Sequence, residues 1–165
     1  GHEMGHGFDD QGSKFDAQGN LKNWWTDQDR AKFDTRAACI VNQFDSIDVG
    51  DNLRHKGKLV TGEALGDLGG LTIAYKAYKK SLNGKEAPVL DGYTGDQRFF
   101  LSFARVWAVQ YRPEEMRLRL NTDPHPIGKY RANATLANMP EFAAAFSCKR
   151  GDPMVRPAAE QCKLW

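Results

Sequence analysis

Gly1-His2-Glu3-Met4-Gly5-His6 opens the chain, and the spacing inside it decides how the rest is read. In a helix, residues four apart stand one above the other, so His2 and His6 share a face. Two imidazoles on one face can bind one zinc ion. Glu3, beside the first of them, is placed to act on a zinc-bound water. The pattern is that of a zinc hydrolase helix. It lies hard against the N-terminus, where helix ends fray, with no initiator Met, no signal peptide and no upstream turns to carry it. Residues 1–165 are therefore expected to be the C-terminal part of a longer catalytic domain.

A chain of 165 residues can form one domain that buries about two thirds of its unfolded surface. The hydrophobic content of 41% and aromatic content of 11% point to a packed core rather than disorder. The 23 basic and 21 acidic residues are interspersed and leave a net charge of +2, without a basic stripe or a nucleic-acid motif. No apolar run reaches the roughly 18 residues that a membrane span needs. Neither nucleic acid nor membrane contact is expected of this segment. Cys39, Cys148 and Cys162 have no Cys-x-x-Cys spacing, so they do not read as a zinc site. Two readings stay open for them: one bridge with a thiol left over, or three reduced, buried cysteines.

The remaining pattern is helical. Residues 9–25 are rich in Gly, Asp, Asn and Gln and read as an irregular loop. Thr26 is placed to cap a helix to about Phe44, with Phe33, Ala37, Ile40, Val41 and Phe44 at helical spacing. Residues 45–60 read as a connection. A helix from Thr61 to about Leu82 carries Leu65, Leu68, Leu71, Tyr75 and Tyr78, and a loop follows from Gly84 to Gly95. Asp96 to about Gln110 reads as a strongly buried helix with Phe99, Phe100, Phe103, Val106 and Trp107. Pro113 starts a short helix to Leu120 and Pro140 a last one to about Phe146. Residues 121–137, with two prolines and a glycine, are expected to be mostly irregular. No strand alternation is visible, and the expected class is mainly α.

A zinc hydrolase site needs a third protein ligand and an open position. The candidate is Glu63 in Thr61-Gly-Glu-Ala-Leu-Gly-Asp67-Leu-Gly-Gly70, where Glu63 and Asp67 project from one helical face. Glu63 can ligate the metal while Asp67 accepts the free ring N–H of a zinc histidine. An exposed acidic face is the plain alternative.

These segments resemble the neprilysin family of zinc peptidases, which includes the endothelin-converting enzymes and bacterial oligopeptidases. The matching stretches are GHEMGHGFDDQGSKFDAQGNLKNWWT, GEALGDLGGLTIAYKAY, QRFFLSFARVWAVQYRPE, TDPHPIGKYRANATLANMPEFAAAF and the terminal Cys-Lys-Leu-Trp. They run in order over essentially the whole chain. The resemblance implies a thermolysin-like (gluzincin) catalytic domain holding one zinc ion and cutting short peptides on the amino side of hydrophobic residues. His2, His6 and Glu63 match the zinc ligands and Glu3 the catalytic carboxylate. Asp67 and Asp9 match carboxylates that orient the zinc histidines. His125 matches the histidine that stabilises the transition state, and Arg131 the arginine that holds a substrate carbonyl. His55 matches no functional position and reads as a loop residue.

In the same family, a cysteine at the position of Cys39 pairs with the one at Cys162. Cys148 resembles a cysteine bridged to the start of the ectodomain. Ala108 stands where many relatives carry another cysteine, a reduced set that fits an extracytoplasmic bacterial enzyme. Gly5 and Ala64-Leu65-Gly66 depart from the family's usual residues without touching a ligand. The family's substrate-pairing Asn-Ala-x-Tyr segment and its capping helical domain would lie in an N-terminal part of the same protein, the implied partner besides peptide substrates. Two other readings are a catalytically silent structural piece of such an enzyme, and a zinc hydrolase of another substrate class. The second leaves the His125 and Arg131 matches unexplained.

Overall fold

The computed structural model describes residues 1–163, so Leu164 and Trp165 of the Cys-Lys-Leu-Trp match lie outside the described residues. Helix α1 spans His2–Gly5 and continues through single 3-10 turns at His6–Phe8 and Gly12–Lys14. Helix α2 (Asp27–Ser46) starts where the Thr26 side chain accepts the Asp29 N–H, with Asp27 and Asp29 favourably placed in its first turn. Phe33, Ala37, Ile40 and Phe44 recur on one face of α2, and all four are buried.

Helix α3 (Gly57–Ser81) is the central element and contacts α1, α2 and a later helix, α6 (Gly128–Leu136). It begins four residues before the expected Thr61. The Gly57 N–H donates to the Asp45 carboxylate at 2.6 Å, and a Cβ at Gly57 would lie 2.2 Å from the Val41 carbonyl oxygen. The glycine that read as part of a connection is where α3 first meets α2. Val60, Ala64, Leu65, Leu68 and Leu71 of α3 complete the core against α2.

Between α2 and α3 lies a short antiparallel hairpin, β1 (Asp48–Gly50) and β2 (Leu53–Arg54). Its turn places Asp51 and Asn52 at φ 53° and 57°, the left-handed conformation that tight hairpin turns require. The strands are too short to show alternation, and they lie within the stretch that reads as a connection.

Helix α4 (Gly95–Val106) opens with a reciprocal Thr94–Gln97 capping box. It stops before the expected Gln110, closing at Trp107. It is also less buried than expected: Phe100 is 1% exposed, but Val106 is 71% exposed. Helix α5 spans Pro113–Thr122. Helix α6 occupies much of the stretch expected to be irregular. Pro124 and Pro126 precede it rather than break it, and Gly128 lets its first turn sit 3.1 Å from the Trp107 carbonyl oxygen, measured from the Cβ that another residue would carry. Helix α7 spans Pro140–Ala145.

The Cys39–Cys162 disulfide joins α2 to the C-terminal segment, the pairing that the resemblance implies. Beside it, Gln43 donates to the Ala134 carbonyl and Asn138 donates to Gln43, while the Cys162 N–H donates to Asn138. These buried polar groups are thereby satisfied, which is what keeps their burial from destabilising the fold. Cys148 is a free, half-buried thiol.

Candidate metal centre and active-site cleft

α1 lies on α3 at a pair of glycines. A Cβ at Gly66 would stand 2.8 Å from His2 Nδ1, and one at Gly70 would stand 2.7 Å from the His2 backbone nitrogen. Glycine at these positions lets the His2–His6 face rest directly over Glu63 and Asp67, which α3 presents one turn apart, so Gly66, expected to touch no ligand, lies against the His2 ring. Ligand atoms of His2, His6 and Glu63 then fall within 4.8 Å of one another. His2 Nε2 is 3.3 Å from Glu63 Oε2, and His6 Nε2 is 3.4 Å from Glu63 Oε1.

The other nitrogen of each ring meets a carboxylate. His6 Nδ1 hydrogen-bonds Asp9 Oδ2 at 2.8 Å, and His2 Nδ1 lies 3.0 Å from Asp67 Oδ1. Asp9 is buried, and its second oxygen accepts the Gln11 and Gly12 N–H groups at 2.9 and 2.7 Å, so it is held as an acceptor. The Asp9 hydrogen bond raises the His6 pKa; burial opposes it, and the Glu63 charge adds to it. With the Nδ1 protons turned to carboxylates, both Nε2 lone pairs face a third carboxylate. Three acceptors aimed at one point fit a cation, and a two-histidine, one-carboxylate set suits zinc.

Around this cluster opens a cleft of about 510 Å³, lined also by Glu3, Phe103, Trp107, His125 and Arg131. Glu3 is exposed on the turn of α1 that carries His2. His125 reaches in from the segment before α6, with Nε2 3.4 Å from Glu63 Oε1. Asp123 aims it: one carboxylate oxygen accepts both the His125 N–H at 2.9 Å and its Nδ1 at 2.7 Å. Burial pushes the Asp123 carboxyl up, but the His125 bonds and the Arg119 charge outweigh it and hold the pKa low.

Arg131 is 8% exposed and forks onto Asp67, Nε to Oδ2 and Nη2 to Oδ1, both at 2.7 Å. Nη2 also donates to Glu63 Oε2 at 3.0 Å, and the guanidinium carbon sits 4.0 Å from the Trp107 ring centroid. Burial opposes its charge, yet the Asp67 and Glu63 bonds raise its pKa. Asp67 therefore faces His2 on one side and holds Arg131 on the other. Seven of the eight expected active-site residues line this cleft, and the eighth, Asp9, lies behind it on His6.

Residues 1–162 match the model of peptidase family M13. The chain belongs to peptidase family M13. Neprilysin-1 of Caenorhabditis elegans is 43% identical over 171 residues, covering 100% of this chain and 22% of that protein. Endothelin-converting enzyme-like 1 of Homo sapiens is 39% identical over 168 residues, covering 100% and 21%. This M13 chain thus spans about a fifth of the length of these curated relatives. The crystal structure of the Mycobacterium tuberculosis zinc metalloprotease Zmp1 in complex with an inhibitor superposes with a TM-score of 0.94 at 41% identity, over 100% of this chain and 26% of that one. PepO from Lactobacillus rhamnosis HN001 follows at 0.85 and 33%, over 100% and 25%. The expected mainly α, gluzincin-type fold is the fold of these M13 peptidases, which are zinc-dependent.

Three residues at or near the M13 site were not singled out for it by the sequence. Asp123 had a readable signal, an Asp two residues before His125 of the kind that forms Asx turns. Trp107 reads as a core aromatic in the sequence, and nothing local announces that it covers Arg131. His55 reads as a loop residue in the sequence and is buried in the structure.

Proposed function

We propose that this chain is the C-terminal part of the catalytic domain of a zinc-dependent endopeptidase or oligopeptidase. It would act on short peptides, on the amino side of hydrophobic residues. The convergence of His2, His6 and Glu63 is the observation that carries the reading. These three side chains would hold one zinc ion per chain, with Asp67 and Asp9 orienting the two rings. Bound there, zinc supplies Lewis acidity, polarising the scissile carbonyl and lowering the pKa of water from 15.7 towards ~7.

The chain's own residues divide the remaining work. Glu3 takes the proton of the attacking water as its oxygen bonds to the carbonyl carbon. It then delivers that proton to the amine nitrogen as the C–N bond breaks. His125, aimed by Asp123, donates a hydrogen bond to the oxygen that gains charge. Arg131 holds a backbone carbonyl of the substrate; its existing bonds use Nε and Nη2. Apolar walls beside the metal cluster, Leu71, Phe103 and Trp107, support a hydrophobic substrate side chain. The Cys39–Cys162 bridge supports an oxidising, extracytoplasmic location. Among the described residues, no helix is long and apolar enough to cross a membrane. An N-terminal part of the same protein would supply the edge that pairs with an extended peptide.

Glu3→Gln tests the assignment. It is expected to keep zinc and lower kcat by about 10²–10⁴, the usual contribution of a general base. Wild-type turnover in the zinc-loaded variant would remove Glu3 from the mechanism.

A further inference from the structure

His55 has no part in the chemistry above, yet it is 4% exposed. Its ring lies edge-on to Phe44 of α2 and Tyr130 of α6, with centroids at 5.4 and 5.3 Å. Its Nε2 accepts the Ile127 backbone N–H at 3.1 Å, a bond between residues 72 apart in sequence. Ile127 is the N-cap of α6, two residues after His125 and four before Arg131. The Ile127 carbonyl in turn accepts the Arg131 N–H at 3.2 Å.

The segment has few other places to be held. Pro126 has no N–H, so between His125 and Gly128 the Ile127 amide is the only backbone donor. The two active-site side chains therefore hang from two anchors, the Asp123 carboxylate under His125 and the His55 ring under Ile127. A first-turn N–H of a helix has no partner within the helix, and buried without one it would be costly.

We propose that His55 is a positioning residue for the peptidase reaction: its Nε2, through the Ile127 amide, fixes the turn from which His125 and Arg131 reach the substrate. This rests on the peptidase reading above. The role requires a neutral ring with its proton on Nδ1, because a doubly protonated imidazole cannot accept. Burial supports that state by pushing the His55 pKa down to about 4. The Nδ1 atom is itself buried and has no hydrogen-bond partner among the described residues, so the ring is oriented by what Nε2 does. Its aromatic neighbours fix the ring plane but cannot replace the acceptor.

The test compares His55→Phe and His55→Gln in the zinc-loaded full-length enzyme. Phe keeps the edge-on packing between Phe44 and Tyr130 and removes the acceptor, whereas the Gln amide oxygen can reach as Nε2 does. His55→Phe is expected to retain zinc and lose kcat by up to about 10²-fold, the scale of a displacement near 1 Å. His55→Gln should recover most of it, and His55→Phe should add little in a His125→Ala background. Unchanged kcat in His55→Phe, equal losses in Phe and Gln, or full additivity with His125→Ala would each overturn the proposal. Should the Phe variant not fold, ¹⁵N spectra of the wild type decide: an unprotonated Nε2 at pH 7 is expected, and a protonated one overturns the role. A wild type that binds zinc but cleaves no peptide overturns the peptidase reading itself, and any role in that reaction with it.

Discussion

Asp67→Asn separates charge from shape at the junction of the cleft. The carboxylate faces three donors: Arg131 Nε and Nη2 at 2.7 Å each, and His2 Nδ1 at 3.0 Å. An amide of the same size has one acceptor oxygen, and its NH₂ points a donor at a donor. No cavity forms, so the loss is electrostatic. Breaking a buried ion pair from one side typically costs about 3–5 kcal/mol, because the other charge stays desolvated. Arg131 keeps its bond to Glu63, which places the expected cost at the lower end, about 3 kcal/mol. For a protein of this size, that is roughly 6–12 °C in Tm. Zinc affinity is expected to fall about 10–100-fold, because the His2 ring loses the group that orients it.

Urea unfolding of the metal-free protein measures the first quantity, and zinc competition against a chromophoric chelator measures the second. A stability loss under about 1 kcal/mol together with unchanged zinc affinity would refute the idea that Asp67 holds Arg131 and His2 together.

Three further outcomes follow from particular contacts. Replacing both Cys39 and Cys162 by Ala, which opens a link spanning 123 residues, should cost roughly 4–5 kcal/mol in urea unfolding by the chain-entropy account. Gly70→Ala puts a Cβ 2.7 Å from the His2 backbone nitrogen and should weaken zinc binding by at least about tenfold, while Gly7→Ala, whose Cβ meets nothing within 4 Å, should not. His55 gives the pH dependence. Unfolded, it takes a proton near its ordinary value of 6.5, but folded it does so only near 4, so the unfolded state binds more protons between these values. The His55 contribution to stability should therefore fall as pH drops from 7 and level off below about 4, by on the order of 3 kcal/mol. Tyr130, the titratable side chain edge-on to the ring, stays neutral over that range, its own pKa being raised by burial and the Asp48 charge. Metal-free His55→Gln should show a correspondingly flatter pH profile than the metal-free wild type.

What could be read from the sequence was local. The Thr26 cap and the spacing of Phe33, Ala37, Ile40 and Phe44 announce α2, and the structure buries those residues. His2 with His6, and Glu63 with Asp67, are each four apart, so each pair's shared face is a matter of helical period alone. That the two faces meet is one of two readings the acid pair allows, and the family resemblance selects it; the physical reason is Gly66 and Gly70, whose missing side chains admit α1. Helix α6 was missed because Pro124, Pro126 and Gly128 read as breakers, although prolines just before a helix leave it intact. The hairpin was missed because five strand residues are too few for a period. Trp107 over Arg131 and His55 under Ile127 pair residues 24 and 72 apart in the sequence, and no local pattern reports such contacts.

Zinc bound per chain at pH 7, in the wild type and in Glu63→Ala, tests the central claim most directly. About one zinc ion in the wild type and much less in the variant is the outcome expected of a His2, His6 and Glu63 site. A wild type without zinc, or a Glu63→Ala protein that holds it as tightly, would contradict the site and the function built on it.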